Sequence, residues 1–422
     1  MLATADGDVL LHSIPDDTTG PLYSVNLITL EGQQVLCVMF NKDDKITQEF
    51  YELPLSKFAK GGDGSETNPY LISSVADLQQ MQSYPASYFK LACDIDASGF
   101  AFAPIKGQFT GHLDGAGHTV SHLTLDATGT EAGIFTYMHS GANVKNINFR
   151  DAVVYLNDKI SRGGLIAANT AASTYENIHV YGLTVEHPTA EAEFGGLFGR
   201  ITGATKVSGV SVANAHIDLP ASEVGGLVCT AATGSKVTAC SFIGTIKGGS
   251  PVGGIMAYTM TGDEEITDCH VDAKLTALNT VGGIIGSDKR SLVERCYVEG
   301  EIEATDGGRF SHGPKAGGIV GELMANYDGQ GNAVSIKNCY VALNELKGFE
   351  TAGTPEYAQK YTTIHRIAGW TSYNGEPEPS GYDDQDNPIY EPGATGAVET
   401  GFDGNYAIAS LAAFAAVSYT HL

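Results

Sequence analysis

The chain has little positive charge and no long apolar run. Among its 422 residues, Lys and Arg number 24 against 49 Asp and Glu, a net charge of −25. Such a surface repels phosphate backbones, which argues against nucleic acid as a partner. A basic amphipathic stretch for anionic lipid is missing, and no run of about 18 apolar residues exists to span a membrane. Charged residues make up only 17%, below the usual quarter or so, which suits short strands and tight turns better than surface helices. Signatures of cofactor and catalytic chemistry are missing too. GxxxxGK[ST], CxxC, GxSxG and HExxH do not occur, and no Ser-His-Asp or Cys-His arrangement emerges, so no cofactor is expected.

Glycine, in contrast, is plentiful at 52 residues, against a usual share of roughly 7%. Much of it falls in doublets: Gly163-Gly164, Gly195-Gly196, Gly225-Gly226, Gly253-Gly254, Gly282-Gly283 and Gly317-Gly318. Single copies stand at Gly133 and Gly369. The last glycines are spaced by 31, 32, 30, 28, 29, 35 and 51 residues. A period of roughly 30 marks a solenoid, in which each repeat buries its apolar face against its neighbours. A coil turns its corner at the same place every lap, so corner glycines stack. They serve there by reaching conformations closed to other residues and by letting backbones approach. A nucleotide-binding glycine loop is unsupported, since no helix follows.

Each doublet is followed at near-fixed offset by a strand. Its first inward residues are Ile147, Ile178, Val210, Cys240, Cys269, Cys296 and Cys339, and its second are Phe149, Val180, Val212, Phe242, Val271, Val298 and Val341. Period-two alternation turns both rows to the interior. The four cysteines are therefore expected as small buried hydrophobes on successive rungs about 4.8 Å apart. Parallel, identically directed side chains suit a disulfide poorly, and no zinc spacing occurs.

These repeats resemble the GLUG-type repeats of bacterial surface proteins, especially from gut bacteria. Residues Gly61 to Ile72 resemble the segment that opens such arrays. Tyr88 to Asp96 and Phe109 to Val120 are similar to their first coils. The resemblance implies an all-β, right-handed parallel β-helix of about eight or more coils, secreted or displayed at the cell surface, with an adhesin-like role and no catalytic signature. The copies RGGLIAA, VGGLVCT and VGGIMAY lack the terminal glycine of the motif.

Three regions are expected. Residues 1–60 form a β segment, with a hairpin of Leu22 to Leu30 and Gln34 to Phe40. Residues 61–345 form the β-helix, capped by a short helix from Ser74 to Gln82. Residues 346–422 are loop-rich, with one last coil near Ile367 to Trp370 and a closing helix from Ile408 to Val417. Met1 to Asp8 lack the charged and apolar parts of a signal peptide, which implies a cytosolic protein or a fragment. Ala416 to Leu422 resemble translated sequencing-adapter DNA at the edge of a metagenomic contig, which favours a fragment.

Candidate sites follow from the strand phase. The outer row between the two inner ones is Asn148, His179, Ser211, Ser241, His270, Tyr297 and Tyr340. Its end, His270-Tyr297-Tyr340, is a polar-aromatic strip of the kind that lies against a sugar ring. Asp94 and Asp96 flank an inward Ile95, about 7 Å apart by strand rise, the spacing of an inverting glycosidase pair. Acidic loops at Asp263-Glu264-Glu265 and Asp383-Asp384-Gln385-Asp386 are calcium candidates that match no known loop motif. The expected function is a non-catalytic surface module binding glycan or surface protein. The alternatives are a β-helical polysaccharide lyase or glycoside hydrolase, marked by a groove to which several coils contribute charged residues, and a purely structural spacer.

Overall fold

The computed structural model describes residues 61–305 apart from 128, 188 and 290, then 314–324 and 335–348. Outside these it describes residues 2–4, 7–9, 22–30, 33–42, 45–52, 58, 60, 363–365, 368–371, 381–382, 388–389 and 406–407. One coil shows how the sequence builds the fold. Strand Glu223–Gly225 ends on the doublet, the chain turns, and Val228–Ala231 runs along a second sheet. Lys236–Thr238 and Ser241–Gly248 then cross a third, wide sheet. Val252–Gly253 begins the next lap directly beside Val224 and Gly225.

Repeating this lap gives a parallel β-solenoid. Counted over the described residues, here and for the two other sheets, the doublet sheet has eight strands, from Glu131–Ala132 to Thr363–His365. The sheet after the corner has nine, from Ile105–Phe109 to Ala368–Thr371. The wide sheet has twenty strands, counting both pieces of each lap. One apolar cluster runs through the interior from Phe58 to Leu346. The residues after the second glycine, Leu197, Leu227, Ile255, Ile284 and Ile319, are all 0% exposed. Truncating one such buried Leu or Ile to Ala costs about 2–5 kcal/mol. Ala368 and Trp370 do form a further rung, paired with Val320 and Glu322.

Of the two reasons for glycine at the corner, only close approach applies. None of the doublet glycines has positive φ. A Cβ on Gly226 would instead stand 2.0 Å from the carbonyl oxygen of Gly254, and one on Gly225 1.8 Å from that of Val228. Five first glycines stack in register: Gly195, Gly225, Gly253, Gly282 and Gly317. The doublet at Gly163-Gly164 is one residue out of step, since Gly163 pairs with Phe194.

The left-handed backbone lies elsewhere. Asn146, Asn177, Gly209, Ala239, Asp268, Arg295 and Asn338 all have φ between 52° and 61°. Each directly precedes an inner-row residue. The kink takes up one extra position, so that Val237 and Cys240, three apart, both point inward. Cys240, Cys269, Cys296 and Cys339 are buried, and all seven cysteines are free. Each thiol of the row donates to the carbonyl two residues back, at 3.2 Å to Thr238 and Thr267. Hydrogen bonding with the Cys240 and Cys296 thiols, and then burial, hold the Cys269 thiol well above its ordinary pKa.

Helix α1 spans Val75–Gln80 and continues as a 3-10 turn at Met81–Ser83. Ser74 and Asp77 form a capping box at its start, and Leu78 and Met81 are buried in the end of the solenoid. Toward the N-terminus, Leu22–Leu30 and Gln33–Lys42 pair as a hairpin. A third antiparallel strand, Lys45–Glu52, adds to it. Its K-I-T-Q-E-F-Y-E sequence carries too few apolar residues to announce a strand. The expected closing helix at 408–417 lies outside the described residues.

Candidate ligand-binding groove

The outer row is in register throughout. Asn148, His179, Ser211, Ser241, His270, Tyr297 and Tyr340 pair rung by rung on the wide sheet. The rings, however, stack on one another. His270 and Tyr297 lie parallel, 5.1 Å between centroids with 9° between planes, and Tyr297 and Tyr340 follow at 5.2 Å. Glu299 ties the first two together, 3.1 Å from His270 Nε2 and accepting from the Tyr297 hydroxyl at 2.9 Å. Burial and this carboxylate push the Tyr297 hydroxyl up to about 12. Both faces of Tyr297 are therefore covered by rings. Tyr297, at the centre of the strip, thus offers a ligand only its edge, where a sugar ring needs a face.

Asp94 and Asp96 face solvent on either side of buried Ile95, but each serves the next coil. Asp94 accepts from the Thr119 amide at 3.0 Å and lies 3.0 Å from His118 Nδ1. Asp96 accepts from the Ser98 hydroxyl at 2.6 Å and lies 2.9 Å from His122 Nδ1. These partners lower both carboxyls, Asp96 to about 2 with the Ser98 bond as main cause. A glycosidase pair needs one carboxyl raised enough to carry a proton, so this pair does not fit.

The acidic loop at 263–265 does not converge. Glu264 is buried and accepts from Thr261 and from the Gly262 amide, so it closes its own turn. Asp263 accepts from the Thr261 hydroxyl, and Glu265 pairs with Lys236. Among the described residues, no three His, Cys, Asp or Glu side chains gather as metal ligands. Asp384 and Asp386 lie outside the described residues.

The site with the richest chemistry lies across the glycine corner. Positions seven apart flank each doublet: Arg162 and Asn169, Glu193 and Arg200, Glu223 and Thr230, Pro251 and Tyr258, Thr280 and Ser287, Lys315 and Glu322. The first of each pair is on the doublet sheet, except Pro251, which directly precedes its strand, and the second is on the next sheet. At the near edge of the second sheet runs a row of small residues, Gly199, Cys229, Ala257, Gly286 and Gly321, whose lack of bulk opens a trough. A Cβ on Gly199 would sit 2.4 Å from Cγ of Arg162. The missing terminal glycines of VGGLVCT and VGGIMAY fall in this row, and Cys229 and Ala257 keep it small. The result is a groove of about 550 Å³ that spans five rungs from Glu193 to Glu322, about 19 Å at 4.8 Å per rung.

Its two ends are ion-paired. At one, Arg162 donates through Nε to Glu193 at 2.8 Å and through Nη1 to Asn169 at 2.8 Å. Arg200 reaches the same Glu193 at 3.2 Å. Burial pushes Glu193 up, but the Arg162 bond and the two guanidinium charges outweigh it and hold the carboxyl low. At the other end Lys315 pairs with Glu322 at 2.5 Å. Glu223, the register partner of Glu193, differs from all of these. Its carboxyl makes no hydrogen bond or ion pair among the described residues, and burial together with the Glu193 charge raises it. Apart from Glu223 the lining between the ends is uncharged, with Ser250, Asn279, Thr280 and Ser287 beside Tyr258 and Met260. The sequence reading missed these residues. The signal was present in the mirrored pairs Glu193/Arg200 and Lys315/Glu322, with opposite charges seven apart around a doublet.

Comparison with known proteins adds distant relatives. No protein-family model matches the chain. It is 26% identical over 257 residues to halomucin of Haloquadratum walsbyi, a match over 56% of this chain and 3% of that protein. It is 29% identical over 100 residues to a candidate Gly-rich membrane protein of Evansella cellulosilytica, over 21% of this chain and 12% of the relative. The chain thus spans a small part of the length of either relative. Among solved structures, a candidate immunoglobulin A1 protease from Bacteroides ovatus matches at TM-score 0.41 and 17% identity, over 79% of this chain and 95% of that one. An IgA1 protease matches at TM-score 0.44 and 14% identity, over 94% of this chain and 30% of that one. These values transfer neither activity nor site residues. No helix among the described residues is long and apolar enough to cross a membrane.

Proposed function

We propose that this chain is a binding module, secreted or displayed at the cell surface, with the solenoid as a rigid stand and the corner groove as the ligand site. The groove carries this reading: five coils contribute convergent polar groups and one accessible aromatic to a single trough. Display outside the cell draws support from the repeats' similarity to halomucin and to a Gly-rich membrane protein. The test is binding of the chain to a broad panel of glycans, mucin and extracellular proteins, repeated with Tyr258→Ala. A ligand lost on substitution, with the circular dichroism unchanged, supports the module. Binding that survives the substitution, or no binding across the panel, overturns it.

A second reading, a hydrolase, is favoured by one contrast. Glu193 is held low and its neighbour Glu223 is raised, and such a split between adjacent carboxyls marks acid–base pairs. Release of new reducing ends or new amino termini, abolished by Glu223→Gln, would establish it.

A further inference from the structure

We propose that the groove takes an extended, uncharged polyhydroxylated chain, that is, a neutral polysaccharide. The inference rests on the binding-module reading and specifies its ligand. Three observations carry it.

The first is charge. Glu193 is neutralised within the groove by Arg162 and Arg200, and Lys315 by Glu322. Arg162, Arg200 and Lys315 are thus each committed to a carboxylate, and Lys289 lies against the Tyr258 ring, which equips the groove poorly to hold a uronate, sulfate or sialate. Glu223, without an ion-pair partner among the described residues, repels any anion placed beside it, and the molecule's charge of −25 repels a polyanion at long range.

The second is the kind of hydrogen bond on offer. The groove floor is the outer face of two sheets whose backbone groups already pair with the rungs above and below. A peptide cannot add here as a strand, which is how an extended peptide gains most of its affinity. What the lining adds is neutral side-chain polarity from Ser250, Asn279, Thr280 and Ser287, of which Thr280 donates to Asn279 Oδ1 at 2.9 Å and Ser287 to Glu322 at 3.4 Å. Ligand hydroxyls match such groups as both donors and acceptors along their whole length.

The third is Tyr258. It is half-buried at mid-groove, and its hydroxyl has no hydrogen-bond partner among the described residues. Lys289, from the following coil, stands 5.5 Å from the ring centroid. On the other side the register neighbour is Thr230, a small residue. One ring face is thus left open over the trough, in contrast to Tyr297. An open face beside polar groups suits the apolar face of a sugar ring.

The test is affinity electrophoresis and calorimetry of the full chain with soluble neutral polymers (α-glucan, β-glucan, mannan, galactan, xylan). Polygalacturonate, chitosan and polylysine serve as charged comparisons, and a glycosylation-free extracellular protein panel as the peptide arm. The expected result is binding to at least one neutral polymer and none to polygalacturonate. Tyr258→Ala weakens that binding tenfold or more, and Tyr340→Ala on the wide sheet leaves it unchanged. Circular dichroism and the unfolding midpoint of each variant show that the fold persists. Binding that depends on Tyr258 but prefers a charged polymer or a protein overturns the ligand class and leaves the binding module standing. Silence from every polymer and protein overturns both.

Discussion

At the scale of single residues, the corner glycines differ from one another in what they tolerate. Gly226 has no room: a Cβ there would meet the Gly254 carbonyl at 2.0 Å and the Phe242 ring at 2.7 Å. That carbonyl belongs to the adjacent rung and cannot withdraw without opening the corner. Gly226→Ala is therefore expected to lower stability by about 3 kcal/mol or more, the upper range for overpacking. Gly129 is the control, with nothing within 4 Å of an added Cβ and no positive φ, so Gly129→Ala stays within about 0.5 kcal/mol. Urea unfolding at constant slope measures both. A loss below about 1 kcal/mol for Gly226→Ala would show that the corner relaxes, and that glycine is retained there for another reason. The cysteine row differs in kind. Cys240 to Cys339 occupy sites held by Ile and Val in earlier coils, yet each thiol also meets a carbonyl at the left-handed kink. Burial explains why these residues are small and apolar, and the kink explains what a thiol adds.

At the scale of elements, legibility tracks periodicity. Strands with two inward residues at even spacing, such as Ser241–Gly248, announce themselves, as do the doublets between apolar neighbours. The left-handed kink before each inner residue does not. Asn146, Asn177 and Asn338 hint at it, because asparagine enters that region readily. Ala239 and Arg295 occupy the same rung position with φ of 53° and 54° and hide the pattern. The first coils are held by a further device invisible to periodicity, the side-chain links of Asp94 to His118 and Asp96 to His122 across one rung. Asp96 has a folded pKa of about 2, against about 3.9 in an unfolded chain. A carboxyl lowered on folding stabilises fully above its unfolded value and loses that effect as pH falls toward its folded one. Asp96→Asn should thus unfold below the wild type at pH 7, with the gap closing as pH drops from about 4 to about 2. Thermal midpoints across that range decide it, and a gap independent of pH would show that the link is steric rather than ionic.

At the scale of the whole molecule, rows replace individual contacts. The inner and corner rows are nearly uniform in character, with Val228, Met256 and Ile285 inside and Gly225, Gly253 and Gly282 at the corner, whereas Thr230, Tyr258 and Ser287 over the groove differ. The groove was hard to foresee because it belongs to rows of mixed chemistry, whose members look unrelated until the corner brings residues seven apart together. Uniform rows make one lap removable. Deleting residues 255–283 joins Gly254 to Ile284 and sets Val228 beside Ile285, Cys240 beside Cys296 and Phe242 beside Val298. In a solenoid, stability is roughly a sum over neighbouring repeats, so the shortened chain should still fold cooperatively. Its midpoint should drop modestly, partly because buried Asp288 loses the Thr259 hydroxyl. The same deletion removes Tyr258 and one rung of the groove, so ligand binding should fall far more than stability does. Removing only residues 255–268 instead leaves Cys269 where a corner residue belongs, throws every row out of phase, and should abolish cooperative unfolding. If the two deletions prove equally damaging, the rows are not interchangeable and each coil is fixed by contacts of its own.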